Sequence, residues 1–103
     1  MDGTLTVIWW RDIPAQVTAR QDRRSHKMVL EQRFQVAIDR AAKVAGKEAF
    51  DDYIGEWRKV NRSCGADLEA EVTMEAARLE AAYPKEVLAA LVKTGGVSSG
   101  SEA

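Results

Sequence analysis

Residues 4–10, TLTVIWW, run through β-branched and aromatic types and predict a strand with one well-buried face. Arg11-Asp12-Ile13-Pro14 breaks that run, because proline removes a donor and drives the residue before it toward extended geometry. Residues 15–21 alternate, with Ala15, Val17 and Ala19 against Gln16, Thr18 and Arg20. This period of two predicts a half-buried second strand. Asp22-Arg23-Arg24 supplies a tight turn, and residues 25–30, SHKMVL, predict a third strand. The connections are too short for parallel crossovers, so the three strands form an antiparallel meander.

From residue 31 the period changes. Phe34, Ala37, Ile38, Ala41 and Ala45 recur at steps of three and four, which places them on one helical face. Gly46 suits the left-handed residue just past that helix. A second helix is predicted over 48–60, with Phe50, Tyr53, Ile54 and Trp57 on a shared face, followed by a loop over 61–66. Asp67 can cap a third helix over 68–82, whose stripe is Leu68, Val72, Ala76, Leu79 and Tyr83. Glu69, Glu71, Glu75 and Glu80 form its expected outer side. Pro84 stops it and opens a short fourth helix that turns Val87, Leu88 and Leu91 inward. Residues 95–103 are rich in Gly and Ser and predict a disordered tail. The expectation is an α+β fold: one domain over 1–94, an N-terminal three-stranded antiparallel meander packed against three to four C-terminal helices.

Composition adds little to this outline, but charge placement does. Residues 1–63 hold twelve Lys/Arg and nine Asp/Glu, a net of +3; residues 64–103 hold three and seven, a net of −4. The front of the chain is basic and the back acidic, an asymmetry able to steer partners. One cysteine, Cys64, forbids an internal disulfide and suits a reducing compartment. The start, MDGTLTVIWW, lacks a basic n-region, and no apolar run approaches the roughly 20 residues that cross a bilayer. A cytoplasmic location with no membrane partner is expected.

Candidate chemistry is sparse. Nucleophilic catalysis needs a nucleophile, a base and an orienting group. His26 and Cys64 are the only His and Cys, and nothing in their spacing links them. Structural zinc wants four Cys/His ligands, so no metal or other cofactor is expected from this chain alone. Gly95-Gly96 is not followed by Lys-Ser/Thr and does not open a helix, which excludes a phosphate loop. No catalytic residue is assigned. The most unusual run is Trp9-Trp10-Arg11-Asp12: adjacent strand side chains point to opposite faces, so one Trp faces the helices and the other can anchor a partner beside Arg11. Arg20, Arg23, Arg24, Lys27 and Arg33 make a basic stretch around the predicted turn. Its net charge is below that of most nucleic-acid domains, which disfavours a nucleic-acid partner.

The run VIWWRDIPAQV, Arg23-Arg24, RFQVAIDRAA, EWR at 56–58 and DLEAEV at 67–72 resembles a small bacterial domain family labelled "virulence factor", over about residues 4–83. In some longer members of that family the domain is joined to an iron–sulfur scaffold-like domain and to helical repeats. The resemblance implies an adaptor or accessory module and transfers no catalytic residue. The expected function is therefore a non-catalytic interaction domain that binds a protein through Trp9, Trp10, Arg11, Asp12, Arg23 and Arg24. Two alternatives stay open: an accessory subunit of an enzyme or metal-cofactor assembly using Cys64 or His26, and weak nucleic-acid binding by the basic turn.

Overall fold

The computed structural model describes residues 2–98. Strand β1 (Gly3–Trp10) buries Gly3, Leu5 and Val7 in alternation, as its pattern requires. It turns through Arg11 and Asp12 into β2 (Ile13–Gln21), and Asp22-Arg23 leads into β3 (Arg24–Val29). Both pairings are antiparallel. Each turn holds one residue in the left-handed region, Arg11 at φ 52° and Asp22 at φ 54°. Aspartate visits that region readily, whereas an arginine there costs roughly 1–2 kcal/mol. Two bonds hold Arg11 in place: its N–H donates to the Glu56 carbonyl at 3.2 Å and its Nη1 to the Gly95 carbonyl at 3.0 Å.

Pro14 is absorbed by an irregularity in the β1–β2 register. Ile8 pairs with Gln16 but Trp9 pairs with Pro14, leaving Ala15 as an extra residue. Ala15 keeps its carbonyl occupied by accepting from the Leu30 N–H at 3.0 Å, at the entrance to the first helix.

The meander is real, but the sheet has a fourth strand. The helix expected over 48–60 is only α2 (Phe50–Gly55), and Trp57–Cys64 forms β4, antiparallel to β1. The strand order is β3-β2-β1-β4. The expected loop over 61–66 is therefore largely strand. The free edge of β1 offers a full row of donors and acceptors, and closing that row outweighs the helical spacing of Phe50, Tyr53, Ile54 and Trp57. The expected apolar face of α2 is lost with it: α2 buries no residue, and Phe50 is 77% exposed.

Helix α1 (Gln32–Ala45) buries Phe34, Ala37, Ile38, Ala41 and Ala42 and ends at Gly46, φ 71°, whose N–H donates to the Ala42 and Lys43 carbonyls. Helix α3 (Leu68–Ala82) is capped as expected: Asp67 accepts from the Ala70 N–H at 3.2 Å. It lies mainly across β2 and β3, while α1 packs on α4 (Lys85–Lys93) and on β2. Two expected placements change. Glu75 is buried, not outer, and Val87 is partly exposed, not inward. The core joins Leu5, Val17, Phe34, Ile38, Val72 and Leu79.

A candidate partner-binding cleft at Trp9

The two tryptophans diverge at the end of β1. Trp10 pairs with Ile13 and Trp57, and Trp9 with Pro14 and Arg58. Trp10 is fully buried. Its indole Nε1 donates to the Tyr53 carbonyl at 2.9 Å, and its ring stacks on Tyr53 at 5.8 Å. The close approach of Gly96, φ 91°, covers another side: a Cβ there would lie 3.0 Å from Trp10 Cζ3. Arg11 lies over the same ring, 5.6 Å from its centroid, and pairs with Glu56 at 3.4 Å. The hydrogen bond from Arg11, with help from Lys47, holds the Glu56 carboxyl below its ordinary pKa. Trp10 and Arg11 thus form an internal joint rather than an open contact surface.

Trp9 occupies a different setting. It is half-buried, with its ring edge-on to Tyr83 at 6.1 Å and under the Arg58 guanidinium at 5.3 Å. It lines a cleft of about 570 Å³ together with Asp12, Arg58, Arg78, Tyr83 and Leu91. Arg58 reaches this place because β4 pairs with β1, and Arg78 and Tyr83 because they end α3. The polar groups of the wall are held by one another. Arg58 pairs with Asp12 at 3.3 Å and its Nε donates to the Arg11 carbonyl at 3.1 Å. Asp12 also accepts from the Ser98 N–H at 2.6 Å. Arg78 Nε donates to Glu75 at 3.0 Å. Burial pushes the Tyr83 phenol up from its ordinary pKa; the Asp12 carboxylate adds to that, and Arg78 and Arg58 oppose it. Among the described residues, one buried side-chain polar atom has no hydrogen-bond partner, the Trp9 Nε1. Such an orphan costs about 1–3 kcal/mol.

The six residues expected to share one face do not gather. Trp9 and Asp12 line the cleft, while Trp10 and Arg11 are covered. Arg23 and Arg24 sit at the β2–β3 turn, near the opposite end of the sheet, where Arg20 pairs with Thr4. Five residue steps along β1 separate that row from Trp9, roughly 17 Å. Arg24 donates there to the Ala66 carbonyl at 3.1 Å. The cleft residues missed from sequence are Arg58, Arg78, Leu79, Ala82, Tyr83, Val87, Leu91 and Ser98; the EWR run was visible, but its strand was not.

Cys64 and His26 also stay apart. They lie on the two outer strands, with β1 and β2 between, so at least three inter-strand spacings of ~4.8 Å separate them. Burial, with Glu71 nearby, pushes the Cys64 thiol up from its ordinary pKa. Among the described residues, no group of three or more His, Cys, Asp or Glu is placed to hold a metal ion, and no helix is long and apolar enough to cross a membrane.

Searches of curated proteins and of solved structures find no match. The sequence model of one family, described as "Virulence factor", matches residues 8–92, from the middle of β1 into α4. That span carries the cleft residues Trp9, Asp12, Arg58, Arg78, Tyr83 and Leu91, and over more than half its length this chain belongs to the virulence factor family.

Proposed function

We propose that this domain is a non-catalytic interaction module that binds a protein partner in the Trp9 cleft. One observation carries the reading: an apolar seat between Trp9, Tyr83 and Leu91 is framed by charges that are already paired, beside an indole N–H that has no acceptor. Paired rim charges orient a partner, and the buried aromatic supplies the anchor energy. An inserted aliphatic or aromatic side chain would displace water from the seat.

The test fills the seat without disturbing the core. Ala82 is exposed and lines the cleft, so Ala82→Trp should occlude it. Photo-crosslinking from position 87 in the native cell identifies the partner. Wild type should yield a defined crosslinked protein, confirmed by binding of the purified pair. Ala82→Trp should weaken that binding at least tenfold at an unchanged thermal midpoint. Full binding by Ala82→Trp would remove the cleft from the interface and overturn the reading.

A further inference from the structure

The sheet presents a second surface, independent of the Trp9 cleft. Helix α3 covers one face of β1, β2 and β3. On the other face, side chains from all four strands line a shallow depression of about 750 Å³. Three of its residues are cations, Arg20, Lys27 and Lys59, and no carboxylate lines it. Among the described residues, none of the three takes part in an ion pair.

Register fixes how these charges are spread. Arg20 pairs with Thr4, Lys27 with Thr18, and Lys59 with Ile8, so each cation stands in a different cross-strand row. With strands ~4.8 Å apart and rows ~6.8 Å apart, Arg20 and Lys27 are about 8 Å apart, and Lys27 and Lys59 about 16 Å. The residues between them are short hydrogen-bonding types, Thr6, Thr18 and Asn61, with Thr6 donating to Asn61 at 2.6 Å.

We propose that this open face binds the sugar–phosphate backbone of a single-stranded nucleic acid without reading its sequence. Separated cations with hydroxyl and amide groups between them make the composition of a phosphate and sugar contact surface. A protein interface would want an aromatic or a cluster of aliphatics at its centre; Ile8 is the one large apolar residue lining the depression, and the exposed Val29 stands at its margin, across from Gln16. The absence of an aromatic also removes base stacking, leaving backbone contact. A four-stranded sheet twists by about 20° per strand, so the cations do not lie in one plane. A flexible single strand can follow that saddle; a duplex with a persistence length of about 150 base pairs cannot.

The experiment measures fluorescence anisotropy with labelled oligo(dT) of 20 nucleotides, the matching duplex, and poly-glutamate as competitor. Wild type should bind the single strand at 20 mM salt more tightly than the duplex, and poly-glutamate should compete poorly. Three released counterions give a slope near −2 in log K against log salt, about 100-fold weaker binding at 200 mM. R20Q/K27Q/K59Q should abolish binding, while R40Q/K43Q/K85Q, which changes net charge equally elsewhere, should retain it; circular dichroism checks both folds. No binding at 20 mM, equal loss in both variants, preference for duplex, or efficient competition by poly-glutamate would each overturn the proposal.

Discussion

At the residue scale, neighbours of identical type carry different duties. Trp10 is enclosed by Tyr53, Gly96 and Arg11. Trp10→Ala should cost about 3–5 kcal/mol, as for other fully buried aromatics. Trp9 keeps one side on the cleft and carries the orphan N–H, so Trp9→Phe should leave stability unchanged or raise it by up to about 1 kcal/mol. Urea unfolding of the two variants checks the contrast; equal losses would mean that Trp9 is also core. Glu75 gives a second test. It is 6% exposed, bonded to Arg78 and Arg62, and those bonds hold its pKa below the ordinary value although burial opposes them. A depressed folded-state pKa contributes stability that is present above the unfolded value near 4.3 and is lost as pH falls through the folded value. Glu75→Gln should therefore cost about 1–2 kcal/mol at pH 7, since both arginines can return to water, and should flatten the acid limb of stability against pH. An acid limb as steep as that of wild type would place the titrating group elsewhere. The alternation in β1 revealed from sequence that the two tryptophans diverge, but not that both would be covered to different degrees, because the covering residues Tyr53, Tyr83 and Gly96 come from distant parts of the chain.

At the scale of elements, legibility follows how local the determinant is. Helix α1 was readable because its apolar residues and its terminal Gly46 lie within one segment. Helix α3 was readable through the Asp67 cap and its stripe, apart from Glu75, whose burial depends on Arg62 of β4. Strand β4 was not readable. WRKVNRSC exposes six consecutive residues and carries no alternation, because it lies at the edge with little covering it. Only the edge of β1, some fifty residues earlier, makes it a strand. One of the three charged residues of the cleft, Arg58, was hidden with it. Local stability should follow the same logic. Amide hydrogen exchange should be slowest in β1 and β2, which are paired on both sides, faster in β4, and fastest in α2, which buries no residue. An α2 protected as strongly as β1 would show that Tyr53 anchors that helix more firmly than its exposed face suggests.

At the scale of the whole molecule, the far ends of the chain close on one joint. The turn between β1 and β2 meets the segment after α4. The Asp12 N–H donates to the Gly96 carbonyl at 2.8 Å, Ser98 N–H donates to Asp12, and Arg11 donates to the Gly95 carbonyl. Gly96 meanwhile lies against Trp10, in a left-handed conformation that a side chain would strain. These contacts join the basic front of the sequence to its acidic back, and they also fix Asp12 where it holds Arg58 at the mouth of the Trp9 cleft. The segment from residue 95, which composition alone marks as tail, thus begins as a clasp at 95–98. Ending the chain after Thr94 removes the three hydrogen bonds to the β1–β2 turn, together with those that Gly95 and Gly96 donate to the end of α4, and uncovers Trp10. The expected loss is about 2–3 kcal/mol, or roughly 10–20 °C in thermal midpoint for a domain of this size. The same truncation frees Asp12 from Ser98, so Arg58 should loosen and, with Trp10 uncovered as well, the tryptophan emission should shift toward a wetter environment before global unfolding begins. A truncated chain that melts with the full-length protein and keeps its emission maximum would show that the joint is built by Tyr53 and Glu56 alone.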